Sequence, residues 1–122
     1  MEGVTRVGSS NVARIAETVD AICESPRVVG YLIGYTANNG QRIKAYKAEG
    51  FPHYVVLAEG LNRNDALQLE RALQERIRDK PQENCYRKYH EAKRDGPYRP
   101  SSGGVSVGAD ELVHSVYMAW WE

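Results

Sequence analysis

Residues 31–73 read YLIGYTANNGQRIKAYKAEGFPHYVVLAEGLNRNDALQLERAL, and they decide the fold class. Residues 28–36 form an apolar run rich in β-branched and aromatic side chains, the composition of a buried strand. Their near-continuous apolarity predicts an interior strand covered on both faces. Ala37-Asn38-Asn39-Gly40 breaks the run with turn-forming residues. Residues 41–49 read as a short helix, with Arg42, Lys44 and Lys47 on its surface, Ile43 and Tyr46 among its inward candidates, and Gly50 as its C-cap. Residues 54–59 form a second strand by composition. The clearest helix spans 63–79: Asn62 caps it, Ala66, Leu69, Leu73 and Ile77 line one face, and Pro81 stops it. This alternation predicts an α+β domain with a small antiparallel sheet flanked by helices. It also places Arg42 and Glu70 on different elements. A guanidinium and a carboxylate meeting over a sheet suit a phosphodiester, and they equally make an ordinary ion pair.

The same stretch resembles the GIY-YIG nuclease family over residues 28–78. A strand of that family ends in Tyr-Ile-Gly-x-Thr, and here Leu32-Ile33-Gly34-Tyr35-Thr36 matches it. An arginine lies ten residues past the family's tyrosine, as Arg42 lies ten past Leu32, and an aromatic or histidine lies four further on, as Tyr46 does. A later helix carries a metal-binding glutamate, in the setting that Glu70 has in Ala66-Leu67-Gln68-Leu69-Glu70. The resemblance implies a GIY-YIG-like fold and a divalent-metal-dependent endonuclease or related phosphodiesterase. It implies Mg2+ on Glu70, with Mn2+ as the substitute ion, Arg42 on the scissile phosphate, and a tyrosine that positions or deprotonates the attacking water.

Two departures bear on that tyrosine. Leu32 stands where the motif has it, and the neighbouring Tyr31, like Tyr35 three positions on, turns to the opposite face of a strand. No Gly-Ile-Tyr precedes the strand; the nearest match, Ala21-Ile22-Cys23, lies in a segment that reads helical. Tyr117, Tyr31 and Tyr46 are the remaining candidates. Residues 110–122 supply the first. Asp110-Glu111 would suit a helix start, but Val113, Val116, Tyr117, Trp120 and Trp121 favour a strand. Ser115-Val116-Tyr117 looks like a Gly-Ile-Tyr strand displaced to the end of the chain. The expectation is that it pairs beside 28–36 and returns a tyrosine to the site, a circular permutation of the family's order. The alternative is that Trp120 and Trp121 close the core or form a homodimer contact.

Residues 82–100, QENCYRKYHEAKRDGPYRP, interleave Tyr86, Tyr89 and Tyr98 with Arg87, Lys88, Lys93, Arg94 and Arg99. Cations between aromatics suit single-stranded nucleic acid, where rings stack on bases and charges meet phosphates. A helix over 83–94 would put Tyr86, Tyr89 and His90 on one side, which either binds or packs on the domain. Arg87, Lys88, Tyr89, His90 and Arg99 are therefore the nucleic-acid candidates, and His90 is a second-rank candidate for proton transfer because an unperturbed histidine titrates at about 6.5. Residues 96–108 read as a Gly/Ser-rich loop. Ahead of the strand, Val12, Ile15, Ala16, Val19 and Ile22 recur at helical spacing over 11–24, which Ser25-Pro26 ends.

The chain of 122 residues is the size of one domain, with 26% charged and 42% hydrophobic residues. Its net charge of zero counts against strong nonspecific nucleic-acid binding, although residues 71–99 hold nine Lys/Arg against five Asp/Glu. The N-terminus lacks the apolar core of a signal peptide and no stretch has the length of a membrane span. Cys23 and Cys85 have no metal-ligand spacing and read as reduced thiols of a cytoplasmic protein. Three classes stand open: a nuclease, a catalytically degenerate module that binds nucleic acid or a protein, and a subunit that dimerises through its C-terminal aromatics.

Overall fold

The computed structural model describes residues 9–90 and 111–122. In chain order the elements are α1 (Ser9–Glu24), β1 (Gly30–Thr36), α2 (Asn39–Ala48), β2 (His53–Leu61), α3 (Arg63–Arg78), α4 (Asn84–Lys88) and β3 (His114–Trp121). Helices with a small three-stranded antiparallel sheet make this an α+β fold. The sheet order is β1-β3-β2, so the last strand in sequence is the middle one in space.

The residues of β3 explain that place. Its first six residues are buried and its two tryptophans half-buried, the pattern of a strand covered on both faces. It pairs with β1 from Gly30↔Trp121 to Thr36↔Ser115, and with β2 from His53↔Trp120 to Leu61↔His114. Strand β1 is buried at all seven positions but is an edge, not the interior strand its apolarity predicts. Helix α3 packs on it, and the segment after α4 covers its outer edge at Tyr31. There the His90 amide donates to the Tyr31 carbonyl at 2.8 Å, and Tyr89 bridges Tyr31. Gly30 is required at its start, because a Cβ there would overlap the Trp121 ring.

Helix α3 follows its amphipathic pattern. Asn62 accepts a hydrogen bond from the Asp65 amide at 2.8 Å, and Ala66, Leu69, Leu73 and Ile77 are buried against β1 and β3. Burying one such leucine contributes about 1.5–3 kcal/mol. Helix α2 starts earlier than turn composition predicts. Asn38 accepts from the Gln41 amide at 3.0 Å, so Asn39 and Gly40 become its first turn. Its end is a Schellman motif. Gly50 takes a positive φ of 94°, the Phe51 amide donates to the Tyr46 carbonyl at 2.7 Å, and the Gly50 amide donates to that of Lys47 at 3.2 Å. The accompanying apolar contact joins Phe51 to the Tyr46 ring, with centroids 5.5 Å apart. The cap thereby sets where Tyr46 points.

Helix α4 ends at Lys88 rather than running to residue 94, because Tyr89 turns extended to meet β1. The loop expected over 96–108 lies outside the described residues. Among the described residues no helix is long and apolar enough to cross a membrane.

Candidate active site

Side chains alternate across the sheet, so Leu32, Gly34 and Thr36 share a face with Ser115, Tyr117 and Ala119, and with Tyr54 of β2. Tyr117 is the centre of that face. Its hydroxyl lies 2.7 Å from the Tyr46 hydroxyl of α2, and its ring stacks on Tyr54 at 4.9 Å and 17°. The Tyr54 hydroxyl donates to Asn39 Oδ1 at 2.6 Å, and Asn39 Nδ2 donates to Ser115 Oγ at 3.1 Å. A hydrogen-bonded network therefore pins the first turn of α2 onto β2 and β3.

Arg42 lies one turn into α2, which begins three residues after β1 ends. Its positive charge acts on the hydroxyls of Tyr117 and Tyr54 on one face and of Tyr35 on the other. Glu70 and Arg63 of α3 also act on Tyr35. Two arginines, one carboxylate and four tyrosines thus make one continuous electrostatic cluster, to which α2, α3 and all three strands contribute.

Each tyrosine pKa in the cluster that moves is pushed upward. Burial is the main cause at Tyr117; Tyr46 adds to it and Arg42 opposes it. Burial leads at Tyr54, with the same two neighbours acting in the same senses. At Tyr35 burial leads, Arg63 and Arg42 pull down, and Glu70 pushes up. Burial removes the water that would stabilise a phenolate, and the arginines restore part of that loss. These hydroxyls are neutral hydrogen-bonding groups at neutral pH.

Glu70 does not border a cleft as its place beside the apolar face suggests; it is fully buried, and it has an interaction within the fold. Gln74, one turn on, is buried too, and its amide nitrogen has no hydrogen-bond partner among the described residues. No group of three or more His, Cys, Asp or Glu among the described residues forms a metal cage. A single carboxylate matches only an ion that keeps most of its ligands as water or phosphate oxygens, as Mg2+ does.

The other candidates divide sharply. Tyr31 is away from the cluster: its hydroxyl donates to the Cys85 carbonyl at 2.6 Å and its ring stacks on Tyr89 at 5.1 Å. Tyr89 is buried in that stack rather than presented to bases. The Lys88 ammonium donates to the Cys23 and Ser25 carbonyls at 2.7 and 2.9 Å, where it caps the C-terminus of α1. Arg87 donates to the Gln82 carbonyl and Asn84 Oδ1, and His90 packs against Phe51 and the edge of Trp121. Arg99 lies outside the described residues. The tryptophans also have partners inside the chain, Trp120 on His53 and Trp121 on Phe51.

Motif spacing does not signal Tyr35, Tyr54, Arg63 or Asn39 as members of the site. Tyr35 faces away from Leu32, as strand alternation predicts, and Arg42, Arg63 and Glu70 bring charge to it there. His114, buried with its ring 6.5 Å from Tyr35, joins the same neighbourhood. Comparison with protein-family models, curated proteins and solved structures finds no match to this chain.

Proposed function

We propose that this chain is a circularly permuted GIY-YIG-type phosphodiesterase that cuts nucleic acid with Mg2+. The observation that carries the reading is the 2.7 Å hydrogen bond between the Tyr117 and Tyr46 hydroxyls, beside Arg42. The resemblance along residues 28–78 lacks a first-motif strand and a motif tyrosine. Strand β3 stands antiparallel to β1 and carries Tyr117 onto the face of Leu32, directly opposite Gly34. The order β1-β3-β2 is what the expected displacement of a Gly-Ile-Tyr strand to the chain's end would produce.

The roles follow from the groups. Arg42 offsets the charge that develops on a pentacoordinate phosphorus, most effectively where water is excluded. Tyr117, held protonated by burial, orients an attacking water or a phosphoryl oxygen through its hydroxyl, and Tyr46 fixes that hydroxyl from α2. Tyr54 stacks behind Tyr117 and keeps its ring from turning. Glu70 would hold Mg2+, or Mn2+ in its place, and the ion would supply Lewis-acid charge at the phosphate. Because Glu70 is fully buried, side chains over it must move for an ion to reach it.

The test is cleavage of plasmid and single-stranded DNA with Mg2+ or Mn2+, comparing wild type with Arg42→Ala and Glu70→Gln. Glutamine keeps the shape of the buried side chain and removes its charge. Each variant should stay folded and lose cleavage, Arg42→Ala by on the order of 10²–10³-fold. Retained cleavage in either refutes its assignment. A folded wild type that cleaves neither substrate, but binds DNA in a salt-dependent way, supports the degenerate binding module instead.

A further inference from the structure

Helices α1 and α4 pack side by side, and each presents one cysteine to the other. Cys23 is fully buried and Cys85 nearly so. The Cys85 thiol donates to Asp20 Oδ1 at 2.9 Å. Asp20 and Cys23 are three residues apart on α1 and share a face. The backbones on both sides are fixed by other bonds. Tyr31 donates its hydroxyl to the Cys85 carbonyl, and Lys88 donates its ammonium to the Cys23 carbonyl. Cys85 thus sits against the α1 face that carries Cys23 one turn past Asp20, in a frame that does not depend on either thiol.

We infer that Cys23 and Cys85 form a modification site: an intramolecular disulfide that ties α1 to α4, made by exchange with a low-molecular-weight disulfide such as oxidised glutathione. The pair lies apart from the Tyr117 cluster, and the inference does not rest on the nuclease reading. Thiols on facing turns of two packed helices can close to about 2.05 Å by side-chain rotation when their backbones stand at disulfide spacing. Access exists on the Cys85 side, which lines a cleft of about 360 Å³ with Asp20, Glu24, Glu83, Asn84 and Arg87.

The exchange balances in two steps. Cys85 gives up its proton, and its thiolate attacks one sulfur of oxidised glutathione; the glutathione S–S bond breaks and one glutathione leaves, taking a proton. Cys23 then loses its proton and attacks the Cys85 sulfur of the mixed disulfide, expelling the second glutathione. Two protein thiols lose two electrons, and one glutathione disulfide becomes two glutathiones. The Cys23 thiol, burial and the Asp20 carboxylate push the Cys85 thiol up, so the first step quickens as pH rises.

The experiment incubates wild type with oxidised glutathione at mildly alkaline pH, then blocks remaining thiols with a maleimide under denaturing conditions and weighs the intact chain. The expected product is a monomer lighter by two hydrogen atoms that takes no maleimide and reverts with dithiothreitol. The bond closes a loop of roughly 60 residues, so Tm should rise by roughly 10 °C. Cys23→Ser and Cys85→Ser should instead retain a single thiol, free or carrying one glutathione, with no rise; Cys23→Ala and Cys85→Ala repeat the comparison where serine disturbs packing. Wild type recovered with both thiols free, as a stable glutathione adduct or as a disulfide-linked dimer overturns the inference.

Discussion

Tyr89 and Tyr117 are both buried tyrosines at the sheet, and their neighbourhoods are opposites. Around Tyr89 the cations are its neighbours in sequence, and one distant tyrosine packs on it. Tyr31 stacks on its ring, Lys88 caps α1, and Arg87 holds the turn before α4. Around Tyr117 the partners Tyr46, Tyr54 and Arg42 come from positions 42–54 of the chain, and Arg42 also acts on Tyr35, on which Arg63 and Glu70 act too. A dense local pattern of aromatics and cations is thus occupied with closing the fold. A sparse set spread over four elements and a displaced strand converges instead. Local density says which side chains are available; only the sheet order says which of them meet.

That contrast can be broken at the Tyr89 end first. Tyr31→Ala removes a fully buried ring, its stack on Tyr89 and the bond to the Cys85 carbonyl. It should destabilise by about 3–5 kcal/mol in urea titration, while the folded fraction keeps its cleavage rate. A folded Tyr31→Ala that loses cleavage would put Tyr31 back among the catalytic residues. A smaller effect sharpens the same point. Lys88→Met removes two charge-assisted bonds to the end of α1 and should cost about 1.5–3 kcal/mol. If Lys88 is a cap and not a phosphate ligand, the slope of DNA affinity against salt stays unchanged. A slope lower by about one would return it to the nucleic-acid surface.

Helix α3 is legible in the sequence because its signals are local. Asn62 and the spacing of Ala66, Leu69, Leu73 and Ile77 define α3 within three residues at either end. Asn39 and Gly40 were read as turn because their composition is turn-like, whereas the Asn38 cap enlists them as the first turn of α2. The edge place of β1 is hidden in the sequence for another reason. Continuous burial does not distinguish an interior strand from an edge covered by a distant segment, and residues 89–90 cover this one. At the candidate site, the positions of Arg42 and Tyr117 followed from spacing and from the strand character of residues 110–122. The involvement of Tyr35, Tyr54 and Arg63 did not, because it depends on strand register and on how the helices pack over the sheet. Lys88 shows the same limit in reverse: its carbonyl partners lie more than sixty positions away, and nothing in its own segment announces them.

The central claim is that the chain's last strand completes a site begun by β1 and α2. A double-mutant cycle on DNA cleavage with Tyr117→Phe and Tyr46→Phe tests it most directly, because phenylalanine removes each hydroxyl and leaves each ring packed. The account predicts that each variant stays folded and loses on the order of 10–10²-fold in cleavage. It also predicts that the double variant loses less than the product, with a coupling of about 0.5–3 kcal/mol. Folded phenylalanine variants that cleave at the wild-type rate would contradict it, and so would losses that simply multiply.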